Sequence, residues 1–268
     1  RWRQQPLSLR KGIPLIKSLR REQFDITLDF QGLLKSAALS RLSGAHRVIG
    51  LPPGRFQEPA AHYFYSETVA SDEESHPHVI ESNFQLALFL GCSKETLSPT
   101  IPLNISSADL HYVNEHLDRL EIKNPVLINP GAGWVTKRWP MKSYAQLFIK
   151  IREELDLPVV FTYGPGEELL IEQIRSEANS YALATFPTNI LQFSALCRCS
   201  RLLVGGDTGP LHLAVSLETP TVAILGPTAA WRNGPFNPQD EIITRDLPCS
   251  ESYKRTSDQF ICMDISVQ

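Results

Sequence analysis

The residues Gly205-Gly206-Asp207-Thr208-Gly209-Pro210-Leu211-His212 directly follow an apolar run at 202–204 and are of types suited to holding an anion. The spacing predicts a short strand, a turn at Gly205 and Gly206, and then a helix. Asp207 or Thr208 is placed to cap that helix, and Pro210 is tolerated in its first turn. The first N–H groups of a helix lack intrahelical partners and have the positive end of the dipole behind them. Thr208 and Gly209 can therefore give N–H groups to a phosphate, which glycine lets approach the backbone. Asp207 would repel a phosphate, which leaves it a helix cap or an acceptor for sugar hydroxyls. His212 lies one helical turn past Thr208 on the same face and could donate to a phosphate oxygen. Gly-Asp and Gly-Thr also serve turn geometry alone, so this stretch by itself leaves both readings open.

Three other loops offer matching chemistry. In 129–140, Gly131 and Gly133 permit close approach of a ligand, Ala132 lies between them, Lys137 and Arg138 bring positive charge, and Thr136 brings a hydroxyl. The pattern is not GxxxxGK[ST], because Lys137 does not follow a glycine. Trp139-Pro140 is read as an anchor for that loop. In 163–168, Glu168 either supports a helix start or takes a ribose or base through two hydroxyl hydrogen bonds. Gly226-Pro227-Thr228 offers Thr228 to the same place.

Such loops need strands behind them. Apolar runs at 126–129, 158–162, 181–184, 201–204 and 221–225 do not alternate, and helical patterns at 143–155, 167–178, 189–198 and 209–217 separate them. This predicts a parallel sheet covered on both faces, with ligands at the carboxyl ends of its strands. Upstream, strands are expected at 24–29 and 46–50, helices at 33–42 and 79–90, a turn at Gln31-Gly32, and solvated loop over 66–78. A linker is placed near 104–124 with a helix inside it at 108–120, giving domains of 1–110 and 111–268.

The chain has 268 residues, 42% hydrophobic and 21% charged, which is enough for two globular domains and includes no membrane-spanning apolar run. Five scattered cysteines, with Cys197 and Cys199 spaced wrongly for common zinc or redox motifs, are read as reduced thiols of a cytoplasmic protein that holds no metal. Residues 1–21 carry seven cations and no acid, so the rest of the chain sums to -10. That arm is either a solvated helix face or a contact for an anionic membrane or phosphorylated glycolipid. No GxGxxG follows a strand, which disfavours a dinucleotide oxidoreductase.

Several stretches together resemble glycosyltransferase family 9, the heptosyltransferases of the lipopolysaccharide inner core. Asp29-Phe-Gln-Gly-Leu-Leu-Lys-Ser-Ala37 looks like the family's Asp-x-Gln-Gly-Leu-x-Lys-Ser-Ala, and 55–65, with Glu58-Pro59 and Phe64-Tyr65, is similar to its Arg-Glu-Pro…Phe-Tyr stretch. Lys137-Arg138-Trp139-Pro140 resembles Lys-x-Trp-Pro. Asp207-Thr208-Gly209 with His212 resembles Asp-Thr-Gly-x-x-His, and Leu225-Gly226-Pro227-Thr228 matches Tyr-Gly-Pro-Thr. The order and spacing agree over nearly the whole chain, most closely with the type I enzymes.

The resemblance implies an α/β protein of the GT-B fold, two Rossmann-like domains with parallel sheets facing a cleft, the first incomplete. It implies an inverting enzyme with ADP-L-glycero-β-D-manno-heptose as donor and a Kdo-bearing lipid A as acceptor, without cofactor, metal or nucleic acid. Gly131, Ala132, Gly133, Thr136, Lys137, Glu168, Asp207, Thr208, Gly209 and His212 would serve the donor. Lys137 would neutralise phosphate, Glu168 take the adenosine ribose, Thr208 and Gly209 bind the diphosphate, and Asp207 bind the heptose. Gln31, Lys35 and Arg55 would serve the acceptor, at the inner face of the inner membrane. The family's catalytic base, an Asp in a Gly-Asp loop, is expected upstream of Arg1, with Asp29 the nearest substitute. Ala132 departs from the type I pattern, which has threonine there, and 249–263 looks like a cysteine-bearing stretch of other members. A different acceptor or ADP-sugar, and a nucleotide-sugar binder without turnover, are the competing readings.

Overall fold

The computed structural model describes residues 9–52, 58–70, 77–100, 102–178, 181–256 and 261–267, with the side chains of 9–11 excepted. The chain divides into two compact units, Arg1–Leu97 and Ser98–Gln268.

The first unit holds a three-stranded parallel sheet in the order β1-β2-β3, formed by β1 (Ile26–Asp29), β2 (Arg47–Gly50) and β3 (Glu67–Thr68). Helices α1 (Leu9–Arg21), α2 (Leu34–Leu42) and α3 (Val79–Phe89) accompany it. Its small core is Ile49, Leu51, Val69 and Leu86. Part of the 66–78 stretch, expected as loop, is strand β3, because Ser66 and Val69 continue backbone pairing with β2. Two residues are too few for an alternation to be seen in sequence. The basic arm is helical from Leu9, and Ile13, Leu15, Lys17, Arg20 and Arg21 are exposed. Arg20 donates from Nε to the Leu42 carbonyl at 3.0 Å, which ties α1 to the end of α2.

The second unit begins with α4 (Ser107–Arg119), whose Val113 and Leu117 pack into this unit's core. Six parallel strands follow: β4 (Val126–Asn129), β5 (Val159–Phe161), β6 (Ala184–Thr185), β7 (Leu202–Gly206), β8 (Thr221–Ile224) and β9 (Glu241–Ile243). Between them run α5 (Met141–Glu154), α6 (Glu168–Glu177), α7 (Ile190–Arg198), α8 (Gly209–Ser216) and the short α9 (Ala230–Asn233). Val126, Ile128, Val159, Phe161 and Val204 face α5 and α6. Leu127, Val160, Leu203 and Ala223 face α4, α7 and α8. Both faces are covered, which is why the strand sequences are apolar throughout.

The strand order is β6-β5-β4-β7-β8-β9. The chain winds outward in one direction from β4 and in the other from β7, so the loops after these neighbouring strands diverge and leave a crevice. Gly205 and Gly206, expected as a turn, are instead the last two residues of β7, paired with Ala223 and Ile224 of β8. A Cβ on Gly206 would lie 3.0 Å from the Lys137 carbonyl oxygen, and one on Gly205 would lie 3.2 Å from that of Asn129. Glycine is needed there for close backbone approach, and the turn falls on Asp207 and Thr208.

Gly50 closes β2 against the ring of Tyr65, where a Cβ would meet the ring at 2.2 Å. Gly50→Ala should cost the first unit about 1–3 kcal/mol through overpacking. Gly133→Ala, with nothing within 4 Å of its Cβ, should stay within about 0.5 kcal/mol. Denaturant unfolding of both variants checks the contrast; equal losses would contradict it.

Candidate functional site

Asp207 ends up 6% exposed at the carboxyl end of β7. Its Oδ2 accepts from Lys137 Nζ at 2.7 Å, and the same ammonium reaches the Asp207 carbonyl at 3.3 Å. Its Oδ1 lies 3.0 Å from Nε2 of His212. An ionised carboxylate only accepts, so this ring nitrogen carries the proton and donates. Burial by itself raises the Asp207 pKa. The His212 hydrogen bond and the Lys137 charge and hydrogen bond outweigh it, with a smaller contribution from Thr228, and push it down to about 2. A carboxylate this deep stays charged only while so paired.

Asp207 is not the cap of α8. The N-cap is Thr208, in extended conformation with no side-chain cap hydrogen bond. The helix therefore presents its N-terminal N–H groups without a side-chain acceptor, next to Lys137. Among the described residues the Thr208 and Thr136 hydroxyl oxygens are buried and unpartnered, and Thr136 as a whole is 2% exposed. Unsatisfied buried hydroxyls of this kind call for an explanation, and a polar ligand is one.

The loop after β4 is built to hold Lys137 in place. Arg138, which the sequence offers as a second phosphate cation, donates from Nε and Nη2 to the Ala132 carbonyl at 3.1 and 2.9 Å. It staples the loop. Trp139 is buried, donates from its indole to the Ile265 carbonyl at 2.9 Å and meets Tyr144 edge to face. Lys137 Nζ also sits 4.4 Å from the centroid of the Trp134 ring.

Glu167 and Glu168 separate in role. Glu167 Oε2 accepts from the Gly164 N–H at 2.9 Å and its carboxylate packs against Gly131. Glu168 is exposed at the start of α6 and accepts from the Gly166 N–H at 3.2 Å. Gly133 is exposed on the loop, and His212 keeps 42% of its side chain exposed.

In the first unit, Asp29 is buried and accepts from Gln31 N–H at 2.9 Å, Gly32 N–H at 3.3 Å, Ser36 Oγ at 2.8 Å and Tyr65 Oη at 2.8 Å. Gly32 takes the positive φ of 66° that this turn requires. Glu58 Oε2 accepts from the Leu34 N–H at 2.6 Å, at the N-terminus of α2. Asp29 thus organises the turn, and Gln31 and Lys35 project from it exposed. Arg55 lies outside the described residues. Among the described residues no group of three His, Cys, Asp or Glu side chains could hold a metal, and no helix is long and apolar enough to cross a membrane.

A doubly wound parallel sheet with an uncapped helix N-terminus and a lysine at the switch point defines a Rossmann-like domain with the features of an anion site. The chain belongs to glycosyltransferase family 9 (heptosyltransferase), whose pattern matches residues 13–260. Lipopolysaccharide heptosyltransferase 1 of Pseudomonas aeruginosa is 29% identical over 247 residues, covering 89% of this chain and 64% of that protein. The chain thus spans a little under two thirds of that relative's length. The crystal structure of the glycosyl transferase family 9 from Veillonella parvula matches with a TM-score of 0.71 at 18% identity, over 87% of this chain and 68% of that one. The Escherichia coli heptosyltransferase WaaC with ADP-2-deoxy-2-fluoro heptose matches at 0.64 and 21%, over 87% and 70%. These likenesses show the GT-B fold, here with three strands in the first sheet.

The Asp207 pKa lies below its ordinary value of 3.8 in the folded state, so its contribution to stability is complete above about pH 4 and is lost as pH falls toward 2. Asp207→Asn should be less stable than wild type at pH 7. The gap should narrow by about 2 kcal/mol between pH 5 and pH 2. A gap that stays constant over that range, measured by denaturant unfolding, would contradict the pairing.

Proposed function

We propose that this chain transfers heptose from ADP-L-glycero-β-D-manno-heptose to a Kdo-bearing lipid A, with the second unit binding the donor. The observation that carries this reading is the Lys137–Asp207 pair beside the uncapped N-terminus of α8. Family membership and the names of the relatives agree with it.

In this reading the diphosphate takes the Gly209 N–H group and the Thr208 N–H and hydroxyl. It draws Lys137 from Asp207, because a diphosphate offers more negative charge than one carboxylate. Asp207, still held by His212, is then freed to accept heptose hydroxyls. Positive charge from Lys137 and α8 stabilises the ADP that leaves in a single inverting displacement at the anomeric carbon. Thr136 offers a hydroxyl where Ala132 has none. Glu168, with most of its acceptor capacity open, takes the ribose, while Glu167 supports the loop. Gln31 and Lys35 serve the acceptor, together with Arg55. The general base is not assigned to Asp29, whose oxygens already accept four hydrogen bonds.

Lys137→Ala should weaken ADP binding by ~1.5–3 kcal/mol, the range for a hydrogen bond to a charged group. Calorimetry with ADP tests this, and unchanged affinity would refute the phosphate role. Gly209→Val should weaken binding more than Thr208→Ala, since a side chain at Gly209 crowds the helix N-terminus itself.

The exposed cations and apolar side chains of α1 fit a peripheral contact with an anionic membrane surface. Removing residues 1–21 should reduce binding to vesicles carrying acidic glycolipid, and wild-type binding should fall with salt. Equal, salt-insensitive binding by both forms would make α1 a solvated surface only.

A further inference from the structure

We propose that Arg255 is a second cation of the diphosphate site, brought there by the C-terminal segment and aligned by Trp134. The inference rests on the donor reading above and adds to it a residue outside the motifs that support that reading.

Arg255 Cζ lies 4.7 Å from the centroid of the Trp134 ring, the same ring over which Lys137 Nζ sits at 4.4 Å. Two cations therefore converge on one indole in the loop after β4. Asp207 pairs with Lys137. Arg255 is exposed and, among the described residues, forms no ion pair. Two cations at one indole, of which only Lys137 is paired with a carboxylate, leave the locality short of negative charge, which an anionic ligand supplies. A guanidinium stacked on an aromatic face keeps its N–H edge open, and that edge fits a phosphate in a two-point fork.

The path of the backbone into this position points the same way. Tyr253 has φ +54° and Glu251 φ +60°, a left-handed region that a bulky side chain adopts only when its surroundings hold it there. Hydrogen bonds hold Tyr253 in place. Its N–H donates to the Pro227 carbonyl at 2.8 Å, its hydroxyl donates to Asn233 Oδ1 at 2.9 Å, and that hydroxyl accepts from the Ala229 N–H at 3.3 Å. Pro227 and Ala229 flank Thr228, a neighbour of Asp207. The segment is thus fastened to the loop after β8, and Arg255 follows two residues later onto the loop after β4. Fastening of this kind fixes a side chain relative to the site, which a merely solvated arginine does not require.

The test is calorimetry on the full chain with ADP, inorganic pyrophosphate and AMP. Arg255→Gln should weaken ADP and pyrophosphate roughly 10-fold or more, and AMP by less, with unchanged thermal unfolding. Arg255→Lys should restore only part of the loss, because an ammonium lacks the fork. Trp134→Leu should weaken ADP as well, and adding Arg255→Gln to it should cost less than Arg255→Gln costs alone. If wild type binds ADP and Arg255→Gln binds it equally well, this inference is overturned and the donor reading stands. If wild type binds neither ADP nor pyrophosphate, the donor reading falls and this inference with it.

Discussion

A charged carboxylate almost out of reach of water organises the second unit. Asp207 keeps its charge because Lys137 arrives from 70 residues away and His212 from the following helix. Removing Lys137 would leave that buried charge held by His212 alone, which is costlier than losing a surface pair. The carboxylate therefore ties together three segments: the loop after β4, the turn that follows β7 and the first turn of α8. It also stores a lysine beside an open helix N-terminus. The same pair that stabilises the ligand-free fold thus holds in readiness the cation that a diphosphate would claim.

The winding of the sheet decides where this happens. Among the described strands of the second unit the windings part between β4 and β7, so two loops can diverge there and leave room for a ligand. The glycines at the end of β7 then let that strand run close beneath the loop that carries Lys137. Arg138 on Ala132, Trp139 on Ile265 and Glu167 on Gly164 fix the surrounding loops by side-chain bonds to backbone. The result is a site whose charged groups are positioned before any ligand arrives.

Much of this was legible in the sequence, and the parts that were not have identifiable reasons. The strands at 126–129, 159–161 and 221–224 announce themselves because both faces are buried. Strand β9 does not, since it is three residues long, exposed and at an edge. Helix α9 and strand β3 are likewise too short for a period to show. Gly205 and Gly206 read as a turn, yet they extend a strand, because glycine serves close backbone approach as readily as a bend. Lys137 and Arg138 look alike in sequence, and only the fold shows that one is spent on a carbonyl. The pairing of Lys137 with Asp207 and the stacking of Arg255 on Trp134 join distant segments, and no local spacing encodes them. In the first unit, Asp29 followed by Gln31-Gly32 does signal a turn, but its completion by Ser36 and Tyr65 depends on packing.

The most direct measurement is a crystal structure of this chain with ADP bound. The account predicts the diphosphate at the N-terminus of α8, with Lys137 Nζ turned from Asp207 onto a phosphate oxygen and His212 still on Asp207. ADP bound away from α8, or bound there with Lys137 still paired only to Asp207, would contradict it.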